Sequence, residues 1–249
     1  MEIIISNDQT ELGKSAGRTA AELIQKAIAQ NGMASIILAT GASQFETLNQ
    51  LISENIDWSK VTMFHLDEYI GLPESSPASF RKYLKERFLE KVNPLKAITL
   101  INGDEDPVLE CKRLNDTFKN IVIDVALVGI GENAHLAFND PPANFDTDEP
   151  FIIVDLDLQC RKQQFNEGWF KTIYEVPKQA ISMSIKQILK SKHIICSVPE
   201  ARKARAVKDC LENPVSNLFP ASILQVHPNC TFYLDKSSAS LLESHRLAI

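Results

Sequence analysis

Asp67 and Glu68 close an apolar run, Val61 to Leu66, and adjacent carboxylates at a strand end are equipped for proton transfer. If the extended backbone continues, the two side chains point to opposite faces, so only one faces a ligand. A carboxylate in a partly desolvated pocket holds its proton more tightly and can serve as a general base. Helix capping or ion pairing in a loop would use the same two residues without chemistry. His135 follows the longest apolar run, Ile121 to Ile130, and has Glu132, Asn133, Asn139 and Asp140 around it. It is one of only five histidines, and a polar setting suits it as a proton shuttle, although a backbone carbonyl could hold it equally well. His65, His193 and His227 read as a strand interior, a strand start and a pinned turn.

Anion binding has two candidates. Thr40, Gly41, Ala42 and Ser43 join a strand to a helix start, where backbone N–H groups, hydroxyls and the helix dipole can hold a phosphate. Ser43 as a plain cap is the simpler use of the same segment. Arg202, Lys203, Arg205 and Lys208 form the most basic stretch, and one of them is expected to reach a ligand. Neither G-x-x-x-x-G-K-[ST] nor G-x-G-x-x-G occurs, so a nucleotide site is unsupported.

These residues need a scaffold. Leu12, Ala16, Ala20, Leu23, Ala27 and Ile28 recur at helical spacing, with Asn31-Gly32 as a stop. Strands are expected over Ser35–Ala39, Val61–Leu66, Ala97–Ile101, Ile121–Ile130, Phe151–Leu156 and His193–Val198. Helices are expected around Phe45–Ile52, Phe80–Phe88, Val108–Phe118 and Ala201–Leu211. The alternation predicts a Rossmann-like α/β fold, a mostly parallel sheet covered by helices on both faces. Ligands in such sheets bind at the carboxyl ends of strands, where the polar segments above fall.

The 249 residues carry no linker or repeat, and a single domain over 1–249 is expected. A net charge of -6 gives no broad attraction to nucleic acid or to an anionic membrane. No signal-like N-terminus and no span of about 20 apolar residues is visible. The five cysteines lack metal-site spacing, so free thiols in a reducing cytoplasm and no metal site are expected.

The segments LATGAS, FHLDEYIGL with a following SF, GIGENAHLAFNDPP, VPKQAISMSI and KARAV…SILQVHP occur in that order between about residues 36 and 235. In this the chain resembles the glucosamine-6-phosphate deaminase/isomerase family, and DEY is similar to the deaminases rather than to the related 6-phosphogluconolactonases, which typically carry DER. The resemblance implies no cofactor and conversion of glucosamine 6-phosphate to fructose 6-phosphate and ammonia. The ring opens, a base removes the C2 proton, the proton goes to C1 through an enolamine-type intermediate, and the amine leaves. It assigns Asp67 as that base, with Glu68 in support, and His135 as the ring-opening histidine. Asp140 falls at the position of an assisting glutamate. Thr40 to Ser43 and Lys203 match the phosphate ligands, and Arg161 is the candidate for a further phosphate contact.

The family's D-G-H reads Asn133-Ala134-His135 here. An amide cannot take up a proton as a carboxylate can, so a relay through Asn133 is expected to weaken, with Asn133→Asp restoring it. Ala134 in place of glycine implies strain if the backbone keeps a positive φ. The stretch from Cys160 to Phe170 is similar to a family subgroup with ENGH and CRxQQ…EGWF. Two alternatives follow: a sugar-phosphate-binding protein with impaired chemistry, or an enzyme on galactosamine 6-phosphate or 6-phosphogluconolactone. The partner expected is a small phosphorylated amino sugar; the sequence leaves homo-oligomer formation open.

Overall fold

The computed structural model describes residues 1–243. Seven strands form one all-parallel sheet: β1 (Glu2–Ser6), β2 (Ala34–Leu38), β3 (Val61–His65), β5 (Ala97–Ile98), β6 (Val125–Val128), β9 (His193–Val198) and β10 (Cys230–Asp235). Their order across the sheet is β1-β10-β9-β6-β2-β3-β5. A smaller antiparallel sheet, absent from the sequence expectation, joins β4 (Asp67–Tyr69), β8 (Gln179–Met183) and β7 (Phe151–Asp155) in the order β4-β8-β7.

Period-two alternation builds the layers. Ile36, Leu38, Val125 and Leu127 face one core with Leu12, Ala16, Ala20 and Ile24 of α1 (Gln9–Asn31) and Leu48 and Leu51 of α2 (Phe45–Ser53). Tyr83, Leu84 and Phe88, on or just beyond α3 (Phe80–Arg87), join them. Ile37, Ala126 and Val128 face the opposite core with Cys111, Leu114 and Phe118 of α4 (Pro107–Phe118) and Val207, Cys210 and Leu211 of a later helix (Ala204–Glu212). Asp8 caps α1 by accepting from the N–H groups of Thr10 and Glu11, and Gly32 ends it at φ 75°. The parallel sheet covered on both faces is therefore as expected.

Several elements differ from expectation. The strand expected over 121–130 narrows to β6, Val125–Val128; just before it the Asp124 carboxylate accepts from the Ser35 N–H at 2.8 Å. The strand expected over 97–101 ends at Ile98, and the Ile101 N–H donates to His65 Nε2 at 2.8 Å. Strands β1, β8 and β10 and the helices α5 (Leu158–Asn166) and α6 (Ile185–Leu189) were unmarked in the periodicity. The helix after β9, α7 (Ala204–Glu212), starts after a 3-10 turn at Ala201–Lys203. His193 begins β9, and His227 pins a turn, its Nε2 lying 2.9 Å from the Ser191 carbonyl oxygen. All five cysteines are free thiols and buried. Among the described residues, no helix is long and apolar enough to cross a membrane.

The strand order sets the location of the site. From β2 the sheet grows through β3 to β5, and from β6 it grows through β9 to β10. The loops leaving β2 and β6 therefore diverge at a topological switch point, which opens a crevice at the carboxyl edge.

Candidate functional site

A pocket open at its mouth lies over that crevice. Its walls include Thr40, Gly41 and Ser43 after β2, Asp67 after β3, Gly129 to Gly131 and His135 after β6, and Lys203 after β9. Four segments far apart in sequence thus meet at one edge.

The β2 loop has no side-chain cap for its 3-10 turn, Ala42–Gln44. Gly41 takes φ 94°, which favours glycine, and the Tyr83 hydroxyl donates to its carbonyl at 3.0 Å. Ala42 contributes backbone to the turn and does not line the pocket.

Asp67 and Glu68 divide their tasks. Asp67 lines the pocket and is 7% exposed; burial, and then the neighbouring Glu68 charge, push its carboxyl up to about 8. Glu68 is fully buried behind it and accepts from the N–H groups of Tyr69, Phe80 and Arg81 and from the Ser79 hydroxyl, at 2.9–3.2 Å. Arg81 Nε donates to the same carboxylate at 3.2 Å, so Glu68 neutralises a buried arginine and fills the open amides of α3. One carboxylate holds the scaffold and the other is left to the pocket.

His135 stands beside Asp140, its Nδ1 3.1 Å from Asp140 Oδ1. Gly131 makes the room: a Cβ there would lie 2.3 Å from the imidazole ring. Burial opposes charge on Asp140, but His135, the Asn133 amide and the Asp157 N–H together hold its carboxyl below the ordinary value. Asn133 Nδ2 donates to Asp140 Oδ1 at 3.0 Å and to Asp157 Oδ2 at 3.1 Å, while its Oδ1 accepts from the His135 N–H at 3.2 Å. The Asp157 N–H donates to Asp140 Oδ2 at 2.9 Å. An aspartate at 133 would put a third carboxylate against these two. The amide is therefore satisfied here, donating to both carboxylates while its oxygen accepts from the His135 N–H.

Ala134 keeps the left-handed conformation (φ 69°), as expected from a glycine position, and Ala137 (φ 50°) and Glu200 (φ 81°) share it. All three lie in loops around the pocket, where backbone strain of about 1–3 kcal/mol per residue is characteristic.

Of the basic run, Lys203 alone faces the pocket; it is 2% exposed, and burial, then Arg202, push its ammonium down to about 8. Arg202 is held by Glu200, Glu132 and Glu167 at 2.6–3.4 Å, while Arg205 pairs with Asp209 and Lys208 with Glu212. Arg161 is not brought to the pocket. Its guanidinium is used by the carbonyls of Ile173 (2.9 Å) and Val176 (3.1 Å), so it braces the segment after α5.

Residues the sequence reading missed come mainly from α5 and its end. Gln163, Gln164 and Glu167 line the pocket; Gln163 accepts from the Glu132 N–H at 2.8 Å, and Gln164 from the Tyr69 hydroxyl at 2.8 Å. Their signal was weak because α5 lacks an apolar stripe, although the polar CRKQQ run marked the segment as unusual. Asp157, which both caps α5 at the Cys160 N–H (2.6 Å) and contacts the Asn133–Asp140 pair, carried no sequence signal.

Known proteins share this arrangement's framework. Residues 7–232 match the family model described as glucosamine-6-phosphate isomerases/6-phosphogluconolactonase. A curated glucosamine-6-phosphate deaminase of Lactobacillus delbrueckii subsp. bulgaricus is 36% identical over 244 residues, covering 98% of this chain and 100% of the relative. The solved structure of a monomeric glucosamine-6-phosphate deaminase superposes with a TM-score of 0.87 at 33% identity, over 97% of this chain and 100% of that one. A 6-phosphogluconolactonase from Trypanosoma brucei, at 19% identity, shares the fold with a TM-score of 0.78 over 97% and 98% of the two chains. With both sequence and architecture matched from end to end, the chain belongs to the glucosamine-6-phosphate isomerase/6-phosphogluconolactonase family.

Proposed function

We propose that the protein deaminates an amino-sugar 6-phosphate, with glucosamine 6-phosphate as the substrate, giving the ketose 6-phosphate and ammonia. The observation that carries this reading is Asp67: a buried pocket carboxyl pushed up to about 8 is suited to take a proton from carbon and return it. In this reading the Thr40–Ser43 loop and Lys203 hold the phosphate. His135, with Asp140 beside it, opens the sugar ring by moving a proton between the anomeric hydroxyl and the ring oxygen. Asp67 takes the C2 proton, giving an enolamine, and returns it at C1. Water adds to the resulting C2 imine and ammonia departs, leaving the ketose. The names and coverage of the relatives support the substrate, and the residues themselves supply a base, a ring-opening dyad and a cation without calling on a cofactor.

The chain is read as one domain working in the cytoplasm on a small-molecule substrate. The solved relative described as monomeric favours a monomer over the homo-oligomer left open by the sequence. The test is a panel of glucosamine, galactosamine and mannosamine 6-phosphates and 6-phosphogluconolactone, with ammonia and ketose phosphate measured separately. Ammonia release from glucosamine 6-phosphate, lost in Asp67→Asn, is expected. Saturable binding without turnover would instead support a binding protein, and lactone hydrolysis alone would move the reaction to the other branch of the family.

A further inference from the structure

A ring nitrogen of His135, an Asp140 carboxylate oxygen and Cys160 Sγ form a compact trio whose atoms all lie within 4.8 Å of one another. His135 Nδ1 is buried and 3.1 Å from Asp140 Oδ1, yet without the geometry of a hydrogen bond. His135 is 7% exposed and Cys160 fully buried. Burial, followed by the nearby Asp140 and Asp157 charges, holds the Cys160 proton in place. Asp140 is fixed from its other side by Asn133 Nδ2 and the Asp157 N–H.

We infer that His135, Asp140 and Cys160 form a binding site for a soft divalent cation of the zinc type, which inhibits the enzyme by taking its pocket histidine. Imidazole, carboxylate and thiolate are a donor set that zinc accepts. Bonds of about 2.0–2.3 Å in a tetrahedron place donor atoms about 3.3–3.8 Å apart. The His135–Asp140 pair is already near that spacing, and the sulfur needs a shift of about 1 Å or less. Ionised Asp140 and the Cys160 thiolate together balance the two positive charges, which a buried site requires. On binding, the S–H bond breaks, its proton goes to solvent, and the sulfur forms the bond to the metal. His135 contributes the Nδ1 lone pair with its proton on Nε2. Nothing is oxidised or reduced.

The trio lies within the proposed active site, but its test does not depend on the substrate. The purified chain is titrated with Co²⁺ in the absence of sugar, and a near-ultraviolet thiolate-to-cobalt band saturating at one ion per chain is expected, displaced by Zn²⁺. Cys160→Ala removes the band, and His135→Gln weakens cobalt binding at least about tenfold. In turnover assays Zn²⁺ inhibits, a chelator restores activity, and Cys160→Ala requires at least about tenfold more zinc. Circular dichroism and melting check that the variants are folded, with Cys160→Ser replacing an unfolded alanine variant. A folded wild-type chain without the cobalt band, or equal zinc inhibition of the cysteine variant, overturns the site. A band without any turnover upholds the site and rejects only the proposed reaction.

Discussion

The Asn133 amide bridges two carboxylates, lying 3.0 Å from Asp140 Oδ1 and 3.1 Å from Asp157 Oδ2. The aspartate of the family's usual D-G-H would here face both the Asp140 and the Asp157 carboxylates. Asn133→Asp is therefore expected to lower kcat/KM at least about tenfold, by raising the Asp140 carboxyl against two like charges. The exchange Asn133→Asp with Asp157→Asn returns one amide between two carboxylates and is expected to recover most of the loss. A single Asn133→Asp variant more active than the parent chain would refute this account.

Asp67 and Lys203 both titrate near 8, the carboxyl raised and the ammonium lowered by burial. The base form of Asp67 grows as pH rises through that range, whereas the charge on Lys203 needed for phosphate is lost. A narrow bell in kcat/KM centred near pH 8 is expected, measured by ammonia release with the free enzyme's groups in view. Lys203→Arg keeps its charge at high pH, so its alkaline limb is expected to move upward. That change separates the lysine from titration of the substrate's own amine.

The two adjacent carboxylates should respond oppositely to neutralisation. Glu68→Gln leaves the buried Arg81 with only the half-exposed Asp104, at 3.2 Å, as counter-ion, and a loss of about 1–3 kcal/mol in urea unfolding is expected. Asp67→Asn removes a carboxyl that burial prefers protonated. Because that carboxyl is raised from 3.8 to about 8, its proton stabilises the fold at low pH, and the contribution is lost as pH rises through the window between them. The variant should keep its fold, lack this decline in urea titrations at successive pH values, and lose turnover.

Ala134 stands at φ 69° beside His135. Ala134→Gly is expected to raise stability by about 1 kcal/mol while keeping activity, as a left-handed alanine costs about that much. Gly131→Ala is the counterpart, because its Cβ would meet the imidazole at 2.3 Å. It should lower kcat while the Lys203-dependent binding of inorganic phosphate, followed by calorimetry, is retained. Unchanged kcat in a folded Gly131→Ala chain would mean that the ring position does not matter.

Short-range patterns made much of the molecule legible. Continuous apolar runs between turn signals marked β2, β3 and β9, because strands buried on both faces are apolar throughout. Apolar runs ended by polar residues marked the segments holding Thr40, Asp67 and His135 and the basic stretch from which the family resemblance selected Lys203; all four residues line the pocket. Opposed side chains on an extended backbone explain why only one of Asp67 and Glu68 was expected to face a ligand, and the family resemblance named Asp67.

What lay outside those patterns depended on contacts between distant segments. The small sheet is defined only by antiparallel pairing, with β4 joining β8 across more than 100 residues and β8 joining β7. Arg161 has the residue type for phosphate, but the carbonyls of Ile173 and Val176 claim its guanidinium. Asn133 looked like a lost carboxylate until Asp157 came into contact with it from 24 residues away. The sequence by itself determined the parallel layers and the edge where chemistry gathers, since both follow from local periodicity and strand ends. Tertiary structure alone decided the state of each polar group there, because burial and charged neighbours set protonation and hydrogen bonding, and those neighbours are distant along the chain.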